Sequence, residues 1–258
     1  MRVSCPMPAV LVASLQMILA FLLTLTLGPL TATGVEVVKR DVLKTSAGDV
    51  EMIFLGHASL MLTFRGMIIH FDPYGKMADY SRLPKADLVF VTHDHNDHFD
   101  LAALQSIQKK GTIVVLPPIC SEKVPEGWIV ENGETLTVKG IEVRVVPAYN
   151  LVHRRETGQL YHPKGIGNGY VLTFGDKHLY VAGDTENLAE IKALKGIDCA
   201  FLPMSVPSTM SPEMVADVAK GFKPKILYPY HYNDTDPTRL TALLKGVPGI
   251  EVRIRQLR

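Results

Sequence analysis

Thr92-His93-Asp94-His95-Asn96-Asp97-His98-Phe99-Asp100 is the stretch on which the reading of this chain turns. The apolar run Leu88–Val91 ends directly before it, and a helical pattern starts near Asp97. His93 and His95 are two residues apart, so in an extended chain their side chains point the same way. A tight turn at the helix start would bring Asp97 and His98 back alongside them. A helix N-terminus disfavours a protonated imidazole, so this spacing predicts a neutral His98 with a lone pair to offer. Three His and two Asp within six residues, at the mouth of a buried strand, are hard to explain as an ordinary solvated loop. Imidazole and carboxylate together suit zinc, and also iron or manganese.

Upstream of this stretch, short apolar or alternating runs at Glu51–Leu55, Leu60–Phe64, Met67–Phe71 and Ala86–Val91 read as strands. Gly66, Pro73, Gly75 and Pro84 break them into turns. Downstream, a helix is predicted over Asp97–Lys110, with Leu101, Leu104 and Ile107 on one face and Gly111 as its stop. Further strands fit Thr112–Leu116, Glu134–Val138, Ile141–Pro147, Gly169–Phe174 and His178–Ala182. After Gly183 helix and strand alternate. Glu186–Leu194, Pro212–Gly221 and Pro237–Lys245 read as helices, and Cys199–Pro203, Lys225–Tyr228 and Glu251–Ile254 as strands. Ser211 and Asp236 are the expected caps of the last two helices. Strands between flanking helices imply layered sheets with helices outside.

The chain has 258 residues, and its formal charge of +1 falls to zero without the first 34, where Arg2 is the only charge. A neutral balance gives no long-range pull toward nucleic acid or an acidic membrane surface, so no nucleic-acid partner is expected. From Val3 to Val35 the chain is uncharged, most apolar between Val10 and Leu27, and followed by Gly28-Pro29 and small residues. This reads as a secretory signal peptide over 1–34, with a domain over 35–258 exported to a periplasmic or secreted location. The competing reading is an uncleaved anchor, which would be the chain's one membrane contact. Cys120 and Cys199 sit at the ends of apolar runs, so two buried thiols are expected rather than a disulfide.

The motif resembles the signature of the metallo-β-lactamase-fold hydrolase superfamily, His-x-His-x-Asp-His after a strand. The resemblance covers roughly Val50 to the C-terminus and implies an α+β protein built as a four-layer αββα sandwich. It also implies two divalent ions, zinc first, with manganese or iron as alternatives. His93, His95 and a third histidine would hold one; Asp97, His98 and His231 would hold the other. Asp184, in Gly183-Asp184-Thr185, would touch both, and Asp72, in Phe71-Asp72-Pro73, would support the metal loop from behind. Many relatives place the third histidine where this chain has Asn150. His153 and His162 follow, and His162 is the preferred candidate.

Gly56-His57-Ala58-Ser59, Pro147-Ala148-Tyr149-Asn150 and His231-Tyr232-Asn233 resemble one branch of that superfamily. The branch includes L-ascorbate-6-phosphate lactonase and relatives of N-acyl-phosphatidylethanolamine phospholipase D. His57 could approach the site or make a structural hydrogen bond, and His70 and His178 read as structural. The resemblance implies catalytic roles for Asp97 and Asp184 in activating water against a small ester, lactone or phosphoester. Tyr149, Asn150, Lys164 and Tyr232 are candidates for contacting substrate. Two other readings compete: an iron redox protein on the same scaffold, and a non-catalytic exported protein whose first site is impaired by Asn150.

Overall fold

The computed structural model describes residues 40–258. The expected signal peptide or anchor over 1–34 lies outside them. Two seven-stranded sheets form the body. The first runs β1 (Arg40–Leu43), β2 (Val50–Gly56), β3 (Ser59–Phe64), β4 (Met67–Phe71), β5 (Leu88–Phe90), β6 (Ile113–Leu116) and β7 (Trp128–Ile129). The second runs β8 (Thr135–Val138), β9 (Ile141–Ala148), β10 (Gly167–Phe174), β11 (Lys177–Val181), β12 (Cys199–Pro203), β13 (Ile226–Tyr230) and β14 (Glu251–Val252). Each sheet is antiparallel over its first four strands and parallel from the fourth onward.

The inner faces of the two sheets meet in an aromatic-rich core. Phe71 and Phe90 stack with centroids 5.0 Å apart, Phe90 reaches Tyr170 at 5.1 Å, and Phe64 meets Phe174 edge-on at 4.9 Å. A helix, α1 (Leu101–Ile107), covers the outer face of the first sheet, where Ala103, Leu104 and Ile107 pack on Val89, Val91 and Val114. Three more, α2 (Ala189–Lys192), α3 (Pro212–Phe222) and α4 (Thr238–Leu243), belong with the second sheet and its core. Helix α3 buries Val215, Val218, Ala219 and Phe222, each such side chain worth roughly 1.5–3 kcal/mol for the larger ones. The layers are helix, sheet, sheet, helix, as the sequence led us to expect.

Several elements differ from their expected bounds. Helix α1 begins at Leu101 rather than Asp97, because Asp100 caps it by accepting the Ala102 and Ala103 N–H groups. The residues before it form a turn closed by His98 and Phe99 N–H onto the His95 carbonyl. Residues 186–188, expected to be helical, are not, since Glu186 turns its carboxylate onto a distant loop. Strands β1 and β7 are additions to the expected set. Ser211 does cap α3, accepting from Met214 N–H. Cys120 and Cys199 are free and buried.

Topology decides where chemistry can sit. In sheets with parallel strands, ligands gather outside the carboxyl ends of the strands. Strands β2, β4 and β5 all run in one direction, as do β9, β11, β12 and β13. The residues just past these ends are His57, Asp72, His93, Asn150, Asp184, Ser205 and His231. The two sheets are tied together at this edge by polar bonds: Tyr170 hydroxyl donates to the Val91 carbonyl at 2.7 Å, and Asn168 N–H to the Thr92 carbonyl at 2.9 Å.

Candidate metal centre

Gly183 shows how tightly the two sheets approach. Its φ is +67°, and a Cβ there would lie 2.9 Å from the Asn168 carbonyl oxygen and 3.0 Å from Thr92 Cβ. Only glycine fits, and Asp184 is thereby delivered beside the His93–His98 turn. His57, Asp72 and His231 also adopt left-handed backbone, with φ of 53°, 42° and 48°. Such conformations cost of order 1–3 kcal/mol each and persist where the surroundings fix them. Here His231 N–H donates to the His57 carbonyl at 3.1 Å, tying two of the strained residues together.

The side chains form two adjoining clusters. In the first, His93 Nε2 lies 3.0 Å from His95 Nδ1, which lies 3.3 Å from His162 Nε2. In the second, His231 Nε2 lies 3.7 Å and His98 Nε2 4.0 Å from Asp97 Oδ2. Asp184 stands between them: Oδ2 is 3.3 Å from His162 Nε2 and 3.4 Å from His231 Nε2, and Oδ1 is 3.5 Å from His98 Nε2. Donors bound to one zinc at about 2.0–2.1 Å in a tetrahedron sit roughly 3.3 Å apart. Most of these separations are close to that edge length.

Four of the rings, those of His93, His98, His162 and His231, are turned inward by a partner on the other nitrogen, as bound imidazoles commonly are. His98 Nδ1 donates to Asp72 Oδ2 at 2.8 Å, and Asp72 also accepts Thr92 N–H and Thr92 hydroxyl at 2.8 and 2.7 Å. His93 Nδ1 meets Thr92 Oγ1 at 3.0 Å, and His231 Nδ1 meets Ser205 Oγ at 3.1 Å. His162 Nδ1 donates to Asn150 Oδ1 at 2.6 Å, and Asn150 Nδ2 in turn donates to Glu186 Oε1 at 2.9 Å. Three inward atoms, His98 Nε2, His231 Nε2 and Asp184 Oδ1, are buried with no hydrogen-bond partner among the described residues. Buried polar atoms are rarely left so. Their orphaning, with the donor set around them, fits divalent cations.

Electrostatics agree with a site built for positive charge. Burial alone would raise the Asp184 carboxyl, yet His231, His98 and His162 hold it well below the usual carboxylate range. Burial likewise opposes ionisation of Asp97, and His231 and His57 overcome it. Burial and the neighbouring His98 push His93 well down. His98 is the exception: burial would lower it, but Asp184 and Asp72 push it up to about 9. The helix-terminus reason for a neutral His98 does not apply, since α1 begins only at Leu101; what frees the Nε2 lone pair for a cation is the Nδ1–H donated to Asp72.

His93, His95, Asp97, His98, Asp184 and His231 thus converge, and of the two candidates for the third histidine His162 joins them. His153 instead points its Nδ1 at the Thr209 carbonyl, 2.7 Å away, and lies outside the clusters. Asn150 leaves no gap in the first cluster; it holds the histidine that fills it. His57 donates from Nε2 to Asp97 Oδ2 at 3.0 Å and sits within the second cluster, with its ring 3.8 Å from that of His231.

The substrate-contact candidates fare differently. Tyr149 is buried with its hydroxyl on Glu190, Tyr232 hydroxyl donates to the Arg255 carbonyl, and Lys164 lies over the Tyr149 ring. None of these three lines the cavity over the clusters. That cavity, about 360 Å³, is lined instead by Arg155, Tyr161, Ser208 and Asn233 beside the cluster residues. His70 is buried on β4, and His178 meets the Gly196 carbonyl; both lie apart from the clusters.

Comparison with known proteins gives a consistent picture. The family model for the beta-lactamase superfamily domain matches residues 51–231. A UPF0173 metal-dependent hydrolase from Thermus thermophilus is 31% identical over 218 residues, covering 78% of this chain and 94% of that one. A crystal structure from Parabacteroides distasonis, provisionally described as a metal-dependent hydrolase, is 43% identical with a TM-score of 0.82. It covers 86% of this chain and 100% of its own. Igni18, a metallo hydrolase from Ignicoccus hospitalis, shares the fold at 23% identity and a TM-score of 0.67, over 81% of this chain and 95% of its own.

Proposed function

The chain belongs to the beta-lactamase superfamily and is a metal-dependent hydrolase, and from that premise we propose that it uses two divalent ions, zinc first, against a small ester, lactone or phosphoester. The observation that carries this is the set of buried, unpartnered inward atoms on His98, His231 and Asp184, lying between two complete donor clusters. His93, His95 and His162 would hold one ion, and Asp97, His98 and His231 the other, with Asp184 shared. When bound, such a pair lowers the pKa of water toward neutrality and stabilises the oxyanion that develops on the substrate.

The chain's own groups then do the positioning. Asp184 lies between the two clusters, so its carboxylate is placed to accept a hydrogen bond from the attacking water and orient it. Its depressed pKa makes it an acceptor and a guide for the proton rather than a group that stores it. Asp97 is fixed by His57 and faces both His98 and His231, which keeps the second cluster in register. Burial of most of these groups excludes bulk water and strengthens every interaction among them. The Gly56-His57-Ala58-Ser59 and His231-Tyr232-Asn233 segments favour lactone and phosphoester substrates within this range, by the branch they resemble. Export of the domain, read from the uncharged N-terminal stretch, is part of the same proposal and is checked by cell fractionation.

Elemental analysis of the purified protein, beside a panel of lactone, thioester and phosphodiester substrates, tests the reading. The expected result is about two ions per chain and turnover of at least one class that stops on chelation. Turnover indifferent to chelation, or less than one ion per chain after loading, would overturn it.

A further inference from the structure

His95 faces two ways. Its Nδ1 lies inside the first cluster, 3.0 Å from His93 Nε2. Its Nε2 points outward, where Nη2 of Arg155 approaches to 3.2 Å. A neutral imidazole carries one proton, so a ring that gives its Nδ1 lone pair to a cation must present Nε2 as an N–H donor. The guanidinium is also donor-only. With Nδ1 committed inward, the two groups can no longer satisfy each other, and an acceptor reaching both would satisfy them together. An oxyanion is that acceptor, and the planar guanidinium matches carboxylate and phosphate geometry.

Arg155 is held in place for such a role. Its guanidinium carbon lies 4.9 Å over the Tyr161 ring, and Nη2 reaches the Tyr161 carbonyl at 3.4 Å. Its backbone closes a turn with Gly158 and Gln159. The loop is fixed at its base by Glu186, whose carboxylate accepts the N–H groups of Leu151, Val152 and His153 at 2.7–2.9 Å. Its far end is fixed by His162 itself. Among the described residues lining the cavity over the clusters, Arg155 is the single Lys or Arg.

We propose that Arg155 and the outward Nε2–H of His95 form an oxyanion subsite at the mouth of the centre, so that the substrate carries a phosphate or carboxylate group. This rests on the two-ion reading, since it is coordination through Nδ1 that makes Nε2 a donor. One loop thereby supplies both a metal-facing histidine and the substrate's anion anchor.

Zinc-loaded wild type, Arg155→Lys and Arg155→Ala proteins test this by calorimetric titration with inorganic phosphate and, separately, acetate at fixed ionic strength. Zinc content, measured first, is expected to be the same in all three. The affinity for the preferred anion is expected to fall about tenfold or more in Arg155→Ala, with partial recovery in Arg155→Lys. A loss confined to phosphate assigns a phosphate group to the substrate, and one confined to acetate assigns a carboxylate. Equal anion affinity in wild type and Arg155→Ala, with zinc content unchanged, would overturn the subsite alone. Failure of wild type to take up zinc would overturn the two-ion reading and the subsite with it.

Discussion

Oδ1 of Asn150 accepts a 2.6 Å hydrogen bond from Nδ1 of His162, and so turns the histidine's Nε2 toward Asp184 and His95. The same amide is oriented by Glu186, which accepts from its Nδ2. Groups that orient a ligand in this way typically contribute 10–100-fold to metal affinity. Asn150→Ala should therefore weaken the first ion by about that factor while the second stays bound. Chelator competition would show the change, and wild-type affinity for both ions would contradict it.

His153 and His162 should part company under mutation. His162→Ala is expected to cost one ion per chain, because it removes a group from the first cluster. His153→Ala removes only a bond to the Thr209 carbonyl and contacts at the loop base, worth about 1 kcal/mol, and should keep both ions. Metal stoichiometry of the two purified variants decides the matter. Loss of an ion from His153→Ala and not from His162→Ala would reverse the assignment.

Asp72 is fully buried and accepts three hydrogen bonds, two from Thr92 and one from His98. Asp72→Ala strands all three donors. Each unsatisfied buried group costs about 1–3 kcal/mol, so a loss of at least roughly 3 kcal/mol is expected in the metal-free protein. Urea unfolding in the presence of chelator measures it. A change below about 1 kcal/mol would show that the turn carrying His93 to His98 does not depend on this carboxylate.

The sequence made the clusters legible where chemistry demanded particular side chains. Three histidines and an aspartate in the motif, Asp184 behind Gly183, and His231 after a strand could be found because few residue types do their work. The support around them was hidden. Glu186 looked like the first residue of a helix, since nothing local shows that its carboxylate serves a loop more than thirty residues earlier. Arg155 sits in a polar loop whose relation to His95 exists only after folding. His98 was expected to owe its neutral form to a helix start; the cap at Asp100 moves that start to Leu101, and the ring is oriented instead by Asp72, a residue distant in sequence. Exposed β7, two residues long, has no period to read.

His70 supplies a pH dependence separate from the metal clusters. Burial pushes its ring from 6.5 down to about 4, the Pro84 backbone offsetting only part of this, and neither ring nitrogen makes a well-formed hydrogen bond among the described residues. Between those two pH values the unfolded chain binds more protons than the native one, so stability rises with pH across the window. The contribution is present above the unfolded pKa and lost as pH falls through the folded one, on the order of 3 kcal/mol in all. His70→Leu should flatten that part of the profile when unfolding is followed from pH 7 to pH 4 in chelator. An unchanged slope would show that the ring is accommodated as a cation.

Anomalous scattering from crystals of the zinc-loaded protein is the most direct test of the whole account. Two peaks are predicted, one within bonding distance of His93 Nε2, His95 Nδ1 and His162 Nε2, the other of Asp97, His98 Nε2 and His231 Nε2, with Asp184 contacting both. Zinc bound elsewhere, or a single peak that Asp184 does not touch, would contradict it.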